Sequence, residues 1–175
     1  MPTFLLEIGT EELPADFARL AIPQLQQLVE AELQLHRLDF GKLHCTSTPR
    51  RLAVLVEELQ LQGKPQSNER KGPPGSLAFS AGKPTEAALG FARRCGVSVE
   101  SLEIRETAKG PFVFATVVEA GSSCVDVLTK AIPTWINALQ GRRFMRWGNG
   151  EERFSRPLRW LVAMLDSELL EVKLS

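Results

Sequence analysis

Cysteine and histidine are scarce: Cys45, Cys95 and Cys124, with His36 and His44, are the only ones among 175 residues. The cysteines are odd in number, scattered and without a C-x-x-C pair, which supports neither a disulfide framework nor a zinc site. Ser-His-Asp or Cys-His catalysis would have to use His36, on a helix, or His44, beside Cys45 on a strand, and core or surface histidines account for both. No G-x-x-x-x-G-K-[ST] loop and no G-x-G-x-x-G after a strand is present, so the usual backbone cradles for nucleotide phosphates are missing. The start, "MPTFLLEIGTEELP", lacks a basic leader, and no run nears the roughly 18 apolar residues of a membrane span. A reducing, cytoplasmic protein without a membrane partner is expected. Net charge is absent too: 21 lysines and arginines balance 21 acids. Attraction to nucleic acid must then come from local arrangement, because the whole-molecule field supplies none.

What is present suffices for a core, since 43% of residues are hydrophobic. Phe4–Ile8 reads as a short buried strand, followed by a turn and a helix from Ala15 to about Leu38. Leu25, Leu28, Val29, Leu35 and Leu38 lie on its helical period, Pro23 kinks or divides it, and Gly41 ends it. Leu43–Thr46 and Arg51–Leu61 form a hairpin turned at Ser47-Thr48-Pro49-Arg50. Gly63–Pro84, with "ERKGPPGS", has no periodic apolar face and reads as an exposed loop or linker. A helix at Thr85–Cys95 is capped by Thr85 and closed near Gly96. Strands at Leu102–Thr107 and Phe112–Glu119 follow, and then a helix capped by Ser122 or Ser123 that runs to about Gln140, interrupted at Pro133.

A second pattern crosses these elements. Phe4 and Phe112, Pro49 and Pro157, and Arg51 and Arg159 are each 108 positions apart, so strand, helix, strand, Pro-x-Arg, strand occurs twice. This suggests a degenerate internal duplication; chance agreement of two loose βαββ patterns is the alternative. The expected class is α+β, with two related βαββ-type units, mainly antiparallel sheet and packed helices. The expected parts are a first unit at 1–62, a Pro/Gly loop and short helix at 63–101, and a second unit at 102–175.

Arginine is concentrated rather than abundant. "RRFMRWGNGEERFSRPLRW", Arg142 to Trp160, holds six of fourteen arginines and two of three tryptophans. Guanidinium groups meet phosphates in a fork geometry and aromatic faces stack on bases; internal ion pairs or a partner protein are the alternatives. A strand here would place Pro157, Arg159 and Leu161 on one face. Arg159 would then be partly buried and need a carboxylate or several carbonyls; for Arg159, Arg51 and the adjacent Arg50 this structural role and a contact role stand as equal alternatives. Arg142, Arg143, Arg146, Arg153 and Arg156 border turns and are the candidates for phosphate or partner contact. Glu7, Glu11 and Glu12 cluster where a carboxylate pair could do acid and base work, although a solvated turn with favourable dipole placement explains them equally well. Lys64, Lys71, Lys83 and Lys109 sit in loops as solubilising residues, with weak RNA-backbone contact open to them.

"LLEIGTEELPA", "STPRRLAVLV", "KGPP" followed by "AF", "GFARRCG", and "MRWG" followed by "RFSRPLRWLVAML" together resemble the N-terminal part of bacterial glycyl-tRNA synthetase β subunits. The likeness spans almost the whole sequence but only the first quarter of family chains, so a fragment or isolated domain is expected. The resemblance implies an α2β2 enzyme that joins glycine to tRNA(Gly) using ATP. In that family the α chain holds glycine and ATP, and β contributes tRNA binding. It implies no catalytic, cofactor or metal residue here, and leaves two roles open: assembly with tRNA contact, or a scaffold that binds only the α subunit.

Overall fold

A computed structural model describes residues 2–80, 82–142, 144–146 and 153–174. The chain divides into two compact units, residues 1–64 with 121–175, and residues 65–120. Of the boundaries expected from sequence, at 62/63 and 101/102, the latter cuts through the second of these units: the strand at Gly110–Glu119 pairs on one side with the strand at Gln66–Pro74 and on the other with the strand at Glu103–Thr107.

The first unit contains β1 (Phe4–Thr10), α1 (Ala15–Leu35), β2 (Leu43–Thr48) and β3 (Arg51–Val56). The second unit interrupts it with β4 (Gln66–Pro74), α2 (Gly75–Ala78), β5 (Phe79–Ser80), β6 (Lys83–Pro84), α3 (Glu86–Cys95), β7 (Glu103–Thr107) and β8 (Gly110–Glu119). The first unit resumes with α4 (Cys124–Ala138), β9 (Met145–Arg146), β10 (Arg153–Phe154), β11 (Leu158–Leu165) and β12 (Glu168–Leu169). Its main sheet has five antiparallel strands in the order β12-β11-β1-β3-β2. The class is thus α+β with mainly antiparallel sheets, as expected.

Alternation along the strands gives this sheet two unlike faces. Phe4, Leu6 and Ile8 of β1 join Leu52, Val54 and Val56 of β3 and Ala163 and Leu165 of β11 in one buried core with α1 and α4. From α1 come Phe17, Ala21, Leu25, Val29 and Leu33, a strict four-residue stripe. Leu35, expected on that stripe, is 70% exposed. Pro23 lies inside α1 without dividing it, on the exposed side, where water can satisfy the carbonyl its ring frees. The helix stops before Gly41: Arg37 adopts φ 54°, and Leu38 N–H donates to Leu33 O at 2.9 Å, a left-handed C-terminal closure.

Trp135 of α4 is 1% exposed, and its Nε1 has no hydrogen-bond partner among the described residues. Trp135→Phe removes a stranded donor, worth about 1–3 kcal/mol, while losing packing of comparable size. The expected net change in urea-unfolding free energy is within about 1 kcal/mol, against about 3–5 kcal/mol lost for Trp135→Ala. Equal losses for the two variants would show that the indole N–H is satisfied.

In the second unit β8 is the central strand of a sheet ordered β4-β8-β7. Phe91 and Cys95 of α3 pack with Ala88 on Val113 and Ala115 of β8. The segment read as a loop is therefore partly strand. Glu69, Arg70 and Lys71 have little to bury, but β8 supplies a complete ladder for them from Gln66 to Lys71, and the pairing shifts before Pro74. Pro73 and Pro74 are tolerated there because β4 is an edge strand at an irregularity. Thr85 precedes α3 without capping it: its Oγ1 donates to Leu77 O at 2.6 Å. Gly96 closes the helix with φ 67°, a conformation glycine adopts without strain.

The βαββ order does recur at the 108-residue offset, with β8, α4, β10 and β11 falling where β1, α1, β2 and β3 would map. The pairing does not recur: β1 joins β3, whereas β8 joins β4 and β7.

Candidate functional site

The two Pro-x-Arg segments meet at the end of β1. Since β3 and β11 flank that strand on either side, Pro49 O accepts from Leu13 N–H at 2.7 Å, and Pro157 O accepts from Glu11 N–H at 3.1 Å. Arg50 is exposed, and its carbonyl accepts from Thr10 N–H at 2.9 Å. Both sides thus grip one turn.

Each neighbouring arginine then takes one group of the acidic cluster. Arg51 Nη1 lies 3.2 Å from Glu7 Oε2, and Trp160 Nε1 donates to Glu7 Oε1 at 2.6 Å. Arg159 pairs with Glu11. Arg156 Nε donates to the carbonyl of Glu12 at 2.9 Å. Glu7 and Glu11 are therefore cation partners, a role that neither reading of the acidic cluster named. What sequence missed was register: Glu7 lies two residues before Gly9 on the same face of β1, and Gly9 stands opposite both Arg51 and Trp160.

Arg159 is not partly buried, as strict alternation had suggested; its side chain is 60% exposed. Gly9 pairs with Trp160 but Thr10 pairs with Leu158, so Arg159 is the extra residue of a β-bulge. A bulge re-aims the side chain it carries. Here it sends the guanidinium to Glu11, while Leu158 packs on the core.

The other arginines differ in kind. Arg146 of β9 and Arg153 of β10 stand directly opposite in a two-stranded ladder. Both are exposed, and neither has an ion pair among the described residues. Like charges placed so disfavour the pairing unless an anion sits between them. Arg142 is exposed and, with Arg156, borders a cleft of about 770 Å3. Its floor includes Phe17 and Phe144, whose rings meet edge to face with centroids 5.4 Å apart. Arg143 lies outside the described residues.

The remaining chemistry is accounted for by contacts. His36 Nδ1 is 3.1 Å from Ser122 Oγ, and its Nε2 is 3.2 Å from Glu32 Oε1. These contacts tie the end of α1 to the segment before α4. Burial pushes the thiols of Cys45 and Cys124 up to about 11, so neither offers a thiolate near neutral pH. Lys64 pairs with Asp39 at 2.5 Å, and Lys71 Nζ sits 3.6 Å above the Phe112 ring. Among the described residues no three His, Cys, Asp or Glu side chains gather as a metal site, and no helix is long and apolar enough to cross a membrane.

Comparison with known proteins places the chain in a family. The chain is 52% identical over 174 residues to the glycine–tRNA ligase β subunit of Acaryochloris marina, covering 99% of this chain and 24% of that protein. It is 49% identical over 174 residues to the β subunit of Synechocystis sp., again 99% of this chain and 24% of the relative. With that of Moorella thermoacetica it shares 45% over 172 residues, 98% of this chain and 25% of the relative. The chain thus spans about a quarter of the length of these relatives. The family described as glycyl-tRNA synthetase beta subunit matches residues 4–175, and the chain belongs to it.

Proposed function

We propose that this region is a non-catalytic module of an α2β2 glycine–tRNA ligase, touching the phosphate backbone of tRNA(Gly) through Arg142, Arg146, Arg153 and Arg156. ATP and glycine are handled by the α chain. The observation that carries this reading is the Arg146–Arg153 pair, two exposed cations in direct opposition, neither of them ion-paired among the described residues. Arg51 and Arg159, by contrast, are engaged by Glu7 and Glu11 and serve the fold. A phosphate bridging two guanidinium groups would turn the repulsion into charge-assisted hydrogen bonds. The test is tRNA binding by the holoenzyme across a salt series, with and without these arginines.

Assembly with the α chain has its own support. The sheet face opposite α1 and α4 carries Leu5, Leu55, Val162 and Met164, half-buried, beside Trp160 and Leu169, which are 40% and 68% exposed. Contiguous exposed apolar surface of this kind marks a protein interface. Leu169→Glu is expected to weaken capture of purified α chain by at least about tenfold while leaving the melting temperature unchanged. Undiminished capture would remove this face from the interface.

A further inference from the structure

The cleft beside the arginine hairpin has more than phosphate-binding groups, and its remaining walls point to what else it holds. Its volume, about 770 Å3, is in the range of pockets that enclose a small molecule or a single nucleotide. Phe144 is half-buried in its wall, and Leu20 and Met145 add apolar surface that is 45% and 46% exposed. Arg142 and Arg156 line it, as does Ser155, which is 3% exposed. Asp16 is the single acid among the lining residues; its Oδ1 accepts from Phe17 N–H at 2.9 Å, and Oδ2 has no partner among the described residues. A duplex backbone needs only cations. An apolar wall, two guanidinium groups and one free carboxylate oxygen match an unpaired nucleotide, whose base stacks, whose phosphate meets arginine and whose exocyclic amine donates to a carboxylate.

We propose that this cleft takes one unpaired nucleotide of single-stranded RNA. The base lies against Phe144, Leu20 and Met145, the phosphate meets Arg142 and Arg156, and Asp16 favours bases that carry an amino group. The inference rests on the reading that the hairpin arginines face RNA, but it makes a separate claim about strandedness.

The test uses the full-length β chain assembled with α, bound to labelled tRNA, with three competitors: a short oligoadenylate, an oligouridylate of equal length and a blunt RNA duplex. Oligoadenylate is expected to displace tRNA best, and the duplex at least about tenfold less well. Leu20→Ser with Met145→Ser, both at exposed positions, should weaken oligoadenylate about tenfold without changing the salt dependence of tRNA binding. Asp16→Asn should narrow the preference for adenylate over uridylate. If the duplex competes as well as the single strand, and only arginine substitutions matter, the backbone reading stands and the nucleotide pocket is overturned. If no competitor displaces tRNA while tRNA binding keeps its salt dependence, the nucleotide pocket alone is overturned.

Discussion

Gly9→Ala is expected to lower unfolding stability by about 2–4 kcal/mol, although alanine in a strand ordinarily gains over glycine. The sign is reversed by the Trp160 indole, which occupies the space a Cβ at position 9 would need. Pairing of Gly9 with both Arg51 and Trp160 fixes that approach, and the backbone of a central strand cannot move away. The indole must swing out, losing its hydrogen bond to Glu7 and loosening the bulge that aims Arg159. The contact makes a second claim checkable: in a Trp160→Ala background the same glycine substitution should cost less than about 1 kcal/mol, because residues in contact couple. Urea midpoints for the two singles and the double complete the cycle. Additive losses would mean that the ring does not hold position 9 small.

The second large effect concerns binding. Replacing Arg142, Arg146, Arg153 and Arg156 together by alanine should weaken tRNA binding by the holoenzyme about thirtyfold. This takes about 0.5 kcal/mol for each solvent-screened contact, hence about 2 kcal/mol in all. Stability should stay within about 1 kcal/mol of wild type, since relief of the like-charged cross-strand pair offsets loss of the Arg156 hydrogen bond to the Glu12 carbonyl. Arg51→Ala is the control with opposite expectations: it strips Glu7 of its cation, so it should lower stability while leaving tRNA affinity close to wild type. A variant set in which Arg51 and Arg146 behave alike would erase the distinction between the fold's arginines and the free ones.

Elements whose apolar residues keep one period were legible in the sequence. β1, α1 and β3 follow the pattern of their hydrophobic side chains, because burying one face is what specifies them. β4 was not legible: its nine residues are mostly polar, and it is a strand because β8 offers it an edge, a cause located about fifty residues downstream. Arg159 shows the complementary failure. Alternation places a side chain correctly until a bulge shifts the register, and nothing local in "SRPLRW" announces that shift. The Pro-x-Arg coincidence was real but ambiguous. It reflects two strands gripping β1 from either side, a relation that duplication and geometric equivalence would both produce. The opposition of Arg146 and Arg153 lay beyond sequence altogether, since a spacing of seven says nothing about where a hairpin turns. The acids failed for another reason: Glu7 and Glu11 were visible as a cluster, but their partners lie more than forty and more than a hundred residues away.

If Arg146 and Arg153 meet RNA phosphate, the salt dependence of tRNA binding must show it. Each phosphate contact releases condensed counterions and adds about 0.7–0.9 to the slope of log affinity against log salt. For the Arg146→Ala, Arg153→Ala double variant of the full-length β chain assembled with α, the predicted slope is shallower than wild type by about 1.5. An unchanged slope would contradict the claim.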